Sequence, residues 1–140
     1  MKTVGRPMLA ATLAMVVTAI GFAAPSRADD PVMHPVRYVV TSANPIYADI
    51  YNLDQQPDKF SDYSHNTYQF TPNVQADIAP GHPWVSPVVM LSDPNDYAMV
   101  TVSTGTEPGT PQFHCALVVD GAVVVSNDGA KGVICSLRSW

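Results

Sequence analysis

Two cysteines, Cys115 and Cys135, stand twenty residues apart with two turn signals between them, and that spacing constrains the fold more than any other feature of the chain. Residues 113–119 and 122–126, two runs rich in strand-forming side chains, flank Asp120-Gly121. An Asp-Gly pair supplies the two positive backbone angles that a tight type I′ hairpin needs. In that register Val119 faces Ala122 and Cys115 faces Ser126. A third strand, residues 132–137, follows the turn at Asn127-Asp128-Gly129. In a simple three-stranded meander the cysteines would lie on the outer strands, about 9.5 Å apart at twice the interstrand spacing. A disulfide tolerates up to about 7 Å between Cα atoms. If the two are bridged, the last strand must cross to a second sheet or pair directly beside the strand that begins at Phe113.

Bridging depends on compartment, which the first thirty residues address. Lys2 and Arg6 open the chain, an apolar stretch follows over residues 8–24, and Ser26 and Ala28 precede Asp29-Asp30. A basic start, an apolar middle and small residues spaced for a cleavage site form the pattern of a secretory signal. An uncleaved membrane anchor is the competing reading. The seventeen residues from Met8 to Ala24, rich in Ala and Thr and closed by Pro25, sit at the lower edge of a bilayer span. The expected organisation is a signal over residues 1–28, a flexible segment over 29–35 and a β domain over 36–140. Losing residues 1–28 removes Lys2, Arg6 and Arg27 but no acid, so 112 residues remain and the formal charge moves from -5 to -8. Export to the periplasm, cell envelope or medium favours a Cys115–Cys135 bridge. Closing a loop of that length stabilises by ~3 kcal/mol. Two buried free thiols would be the reading in a reducing compartment.

Period-two alternation dominates after residue 35, with no uninterrupted amphipathic helical repeat. Val36, Tyr38 and Val40 share one face, and Ile46, Ala48 and Ile50 alternate with Tyr47, Asp49 and Tyr51. Residues 54–66 are polar and read as a loop. Short strands are expected around residues 68–70 and 74–78, and Pro87 places part of residues 84–91 at a sheet edge or bulge. Residues 97–104 set Ala98, Val100 and Val102 against Tyr97, Met99 and Thr101. The expected fold is all-β: an immunoglobulin-like β-sandwich of about seven short strands with one disulfide. A small barrel is the alternative closure.

Composition excludes several functions. At 14% charged and 46% hydrophobic residues the chain is too apolar for a disordered acidic tail. No Lys/Arg cluster exists to hold nucleic acid or an anionic membrane surface. The four histidines (His34, His65, His82, His114) lack the short spacings of a zinc site, so no metal or cofactor is expected. No nucleophile, phosphate-cradle or metalloprotease motif occurs. His114 adjoins Cys115, but neighbours on a strand point to opposite faces. The chain therefore reads as a non-enzyme. Its candidate binding surface is Tyr47, Asp49 and Tyr51, one face of one strand, with tyrosines of the kind enriched at interfaces; packing beneath the loop of residues 54–66 is the other reading for the two tyrosines. Trp84 reads as a core residue.

Several ordered landmarks span nearly all of residues 36–140. They are Val36-Arg37-Tyr38-Val39-Val40, Ala48-Asp49-Ile50-Tyr51-Asn52-Leu53-Asp54, Pro83-Trp84, Tyr97-Ala98-Met99-Val100, and Cys115-Ala116-Leu117-Val118-Val119-Asp120-Gly121 with a late Cys135. In this order they resemble the soluble domain of the small mycobacterial membrane proteins called MmpS. The resemblance implies a disulfide-bearing β-sandwich outside the cytoplasmic membrane, acting as an accessory to the resistance-nodulation-division exporters called MmpL, which move lipids or siderophores. MmpS proteins are tethered by an N-terminal helix, so membrane attachment follows here only if residues 1–28 are retained. A freely secreted small-ligand-binding or antigen-like protein, with no transporter partner, is the alternative.

Overall fold

The computed structural model describes residues 30–139. The expected signal over residues 1–28 lies outside them. Nine strands and three short helices follow in the order β1 (His34–Ser42), β2 (Ile46–Asn52), α1 (Phe60–His65), α2 (Thr67–Phe70), β3 (Asn73–Ile78), β4 (Trp84–Val85), β5 (Val89–Leu91), α3 (Pro94–Tyr97), β6 (Met99–Ser103), β7 (Phe113–Val119), β8 (Ala122–Gly129) and β9 (Gly132–Ser136). All pairings are antiparallel. One sheet, A, has the order β4-β1-β7-β8, with β5 also on the β4 side of β1; the other, B, has the order β3-β2-β6-β9. The two form a sandwich, as the alternation implies.

Alternating side chains fill the space between the sheets. Val36, Tyr38 and Val40 from β1 meet Ala48 and Ile50 from β2, Val100 and Val102 from β6, and Phe113, Cys115 and Leu117 from β7, all fully or almost fully buried. Large side chains buried from both layers leave the interior packed. Trp84, on the short edge strand β4, is half-buried against this core rather than inside it.

β9 leaves its hairpin partner and joins sheet B, pairing with β6 so that Cys135 lies opposite Val100. Cys115 stays in sheet A opposite Val40. The disulfide thus joins the two sheets, with 6.1 Å between Cα atoms. Of the two routes open to the sequence, the chain takes the crossing. The crossing needs close backbone approach at the β8–β9 corner, where a Cβ on Gly129 would meet the Gly132 carbonyl oxygen. Hydrogen bonds from Gln112 N to the Ala130 carbonyl (3.0 Å) and from Thr104 N to the Lys131 carbonyl (3.2 Å) tie this corner to both sheets.

The β7–β8 turn is as expected, with Asp120 at φ 53° and Gly121 at φ 80°, and Val119 faces Ala122. Cys115, however, faces Asn127 instead of Ser126. A β-bulge at Val123-Val124 sets two residues against Val118 and moves the later register by one. The strand expected around residues 68–70 is helix α2, and α1 interrupts the expected loop. Phe60, Tyr63, Thr67 and Phe70 recur at intervals of three, four and three, which is helical spacing. The edge segment of residues 84–91 is split at Ser86-Pro87. There the Ser86 hydroxyl accepts from Tyr38 N (3.0 Å) and Ser86 N donates to the Tyr38 carbonyl (2.9 Å), so the ladder continues through a side chain.

Tyr38 also crosses the interior: its phenol donates to the Leu53 carbonyl at 2.7 Å. Burial pushes this phenol well above the usual tyrosine range. An unfolded tyrosine ionises near pH 10 while the folded one keeps its proton, so stability is unaffected below that pH and falls as pH rises beyond it. Tyr38→Phe should make alkaline unfolding shallower, while costing ~1–3 kcal/mol at neutral pH for the orphaned Leu53 carbonyl. Urea titrations at pH 7 and above pH 10 measure both. Replacing Cys115 and Cys135 together by Ala should lower stability by ~3 kcal/mol in the same assay.

Candidate functional site

Sheet B turns an unusual outer face to solvent. Its rows follow from the ladder register: Asn73, Tyr51, Thr101 and Ile134 lie side by side, and Gln75, Asp49, Ser103 and Gly132 form the next row. Tyr47, Asp49 and Tyr51 therefore share this face, as their alternation requires. They do not share one site.

Tyr47 and Asp49 belong to a cross-strand chain. The Tyr47 phenol donates to Gln75 Oε1 (3.3 Å), and Gln75 Nε2 donates to Asp49 Oδ1 (2.9 Å). Gly105, at φ 58°, passes so close over Asp49 that a Cβ there would strike the carboxylate. Asp49 is thereby half-covered and its charge is engaged within the fold.

Tyr51 belongs to a different neighbourhood. The α1–α2 arm packs beside it, with the Tyr68 ring 6.1 Å away. The arm is secured at several points. Asp54 N donates to the Phe70 carbonyl (3.0 Å) and Leu53 N to the Met99 carbonyl (2.9 Å). Thr67 and Thr71 hydroxyls donate to the carbonyls four residues earlier, Tyr63 (3.2 Å) and Thr67 (2.7 Å). Tyr63 and Phe70 insert into the core with ring centroids 6.5 Å apart, and the Arg138 guanidinium stacks 4.1 Å over the Phe60 ring. A cation over an aromatic face adds about 0.5–1 kcal/mol where exposed.

Between the arm and the sheet lies an open groove of about 380 Å³, lined by Tyr51, Tyr63, Thr67, Tyr68, Thr71, Met99 and Thr101. None of its lining side chains carries a charge. Tyr63 is buried at its floor, where burial raises its phenol above the usual value, and Tyr68 stands at the rim, 75% exposed. Ring faces, hydroxyls and a thioether suit an uncharged surface that is partly apolar. Sequence reasoning reaches Tyr51 and misses the rest, because the polar composition of residues 54–66 hides the helical spacing from Phe60 to Phe70.

Elsewhere the side chains that suggested chemistry have structural partners. Cys115 is buried in the disulfide while His114 points outward, its Nδ1 2.7 Å from Asp128 Oδ1. His34 Nδ1 lies 2.7 Å from Asp120 Oδ2. Among the described residues no group of three or more His, Cys, Asp or Glu is placed to hold a metal ion. Nor is any helix among them long and apolar enough to cross a membrane.

The model of the Rv2576c β-sandwich domain matches residues 38–135, and the chain belongs to that family. It is 39% identical over 111 residues, covering 79% of this chain and 71% of the relative, to the uncharacterized protein Rv2576c of Mycobacterium tuberculosis. The uncharacterized protein Mb2606c of Mycobacterium bovis is similar to the same extent. These findings give the domain type and a mycobacterial kinship, and the family they name is that of Rv2576c rather than MmpS. Tyr68→Ala should leave stability within about 0.5 kcal/mol because the ring is at the rim. Phe70→Ala should cost ~3–5 kcal/mol by opening the core beneath the arm. Urea denaturation distinguishes the two.

Proposed function

We propose that this Rv2576c-type domain is an exported, non-enzymatic binding module that presents the tyrosine groove to a protein partner in the cell envelope, and that the partner is an MmpL-type exporter, as for an MmpS accessory. The groove is the observation that carries this reading. Interface hot spots are enriched in tyrosine, and here three tyrosines surround a concavity free of charge. The packed interior between the sheets argues against the alternative of a secreted carrier enclosing a small ligand there. The disulfide fits an oxidising compartment.

Crosslinking in intact native envelopes, followed by recovery of the chain, tests the proposal. An MmpL-type exporter should be recovered, and Tyr68→Ser should weaken its binding about tenfold or more, as for loss of an aromatic anchor. Tyr47→Ser, outside the groove, should not. Recovery of no such exporter, or recovery indifferent to Tyr68, overturns the reading.

A further inference from the structure

Sheet A also has an outer face, and its composition differs from that of the tyrosine groove. Register places Val85 beside Val39 and Ala116, Arg37 beside Val118 and Val123, and Met90 beside Pro35. Val85, Val88, Met90 and Val123 are between 46% and 62% exposed. A concavity of about 420 Å³ opens on this face, lined by Pro35, Arg37, Val88, Val118 and Gly121. Its only charged lining residue is Arg37.

That arginine is unusual within the molecule. The described residues include four permanently cationic side chains, Arg37, Lys59, Lys131 and Arg138, in a chain with 12 acids. Arg138 is stacked on Phe60. The carboxylate beside this end of sheet A, Asp120, is engaged by His34 at 2.7 Å, and Asp128, at the far end of β7, is engaged by His114, so neither is taken by Arg37. Arg37 thus sits among valines, exposed and without a carboxylate partner among the described residues. A guanidinium beside an apolar trough complements a ligand with one anionic end and one apolar end, since its fork of N–H groups matches a carboxylate.

We propose that this trough is a binding site for a single-chain anionic amphiphile of the fatty-acid class, its carboxylate on Arg37 and its chain along Pro35, Val88 and Val118. A bilayer surface is a poorer match, because attachment to anionic lipid relies on clusters of basic residues and this face has one. A second copy is also a poorer match: a two-fold contact centred here would press two Arg37 side chains into an apolar interface without counter-charge. The site is on the opposite sheet from the tyrosine groove and does not depend on that groove's proposed role.

The test uses the full-length, isotopically labelled chain titrated with dodecanoate below its micelle concentration, with dodecyl maltoside as the uncharged control. Amide resonances of Arg37, Val88, Val118 and Gly121 should shift with dodecanoate. Arg37→Gln should weaken dodecanoate about tenfold or more, the effect of losing one charge-assisted pair, and leave the maltoside unchanged. Val88→Ser, at an exposed position, should weaken both. Shifts that map elsewhere, or an Arg37→Gln variant that binds dodecanoate as the native chain does, overturn the proposal. So does binding to phosphatidylglycerol vesicles without binding to dodecanoate, or a dimer in sedimentation that Val88→Ser dissociates and dodecanoate does not affect.

Discussion

The rest of the structure depends on the crossing of β9 from its hairpin neighbour to the opposite sheet, fixed by the Cys115–Cys135 disulfide. Stacked sheets ordinarily lie about 10 Å apart, whereas the bridged Cα atoms are 6.1 Å apart. The layers therefore converge where β7 meets β9. The corner that allows this is backbone against backbone, which is why Gly129 stands there and why a methyl group in its place would meet a carbonyl oxygen. Between β1 and the end of β2, the Tyr38 phenol spans the same interior to the Leu53 carbonyl. One covalent and one hydrogen-bonded tie set how far apart the layers sit, and the side chains between them fill what remains.

Much of this was legible because it follows from period-two alternation and from geometry. Val36, Tyr38 and Val40 could be assigned to one buried face from their spacing alone. The cysteines could be denied a simple meander because a disulfide is too short to span one. What was not legible had local causes. The bulge at Val123-Val124 leaves no sign in a run of valines that suits either register, so the unbulged register puts Cys115 opposite Ser126, one residue from its true partner Asn127. Ser86 replaces a ladder contact at Pro87 with its own hydroxyl, which splits an edge strand in two and raises the strand count. The α1–α2 arm follows a 3-4-3 aromatic and threonine spacing, yet it is only two short turns bounded by Pro57 and Pro72, and its polar intervening residues resemble a loop.

The same arm explains why the candidate site was only partly found. Tyr47, Asp49 and Tyr51 are equivalent on a strand diagram, one face at alternate positions. Their surroundings come from elsewhere in the chain: Gln75 and Gly105 engage the first two, and Tyr63, Thr67 and Tyr68 complete a groove around the third. Alternation predicts which side of a sheet a residue occupies. It carries no information about what a distant segment lays over that side.

A packed, cross-tied interior has a consequence for function. With the inner faces committed to the core, recognition is left to the outer faces, and the two sheets offer chemically different ones. Sheet B presents an uncharged groove of hydroxylated rings beside a helical arm; sheet A presents a trough among valines with a single guanidinium. Because the disulfide and the Tyr38 hydrogen bond resist sliding of one layer on the other, the two surfaces keep a fixed separation. A slab with unlike faces can hold two different partners at once without either competing for the same residues.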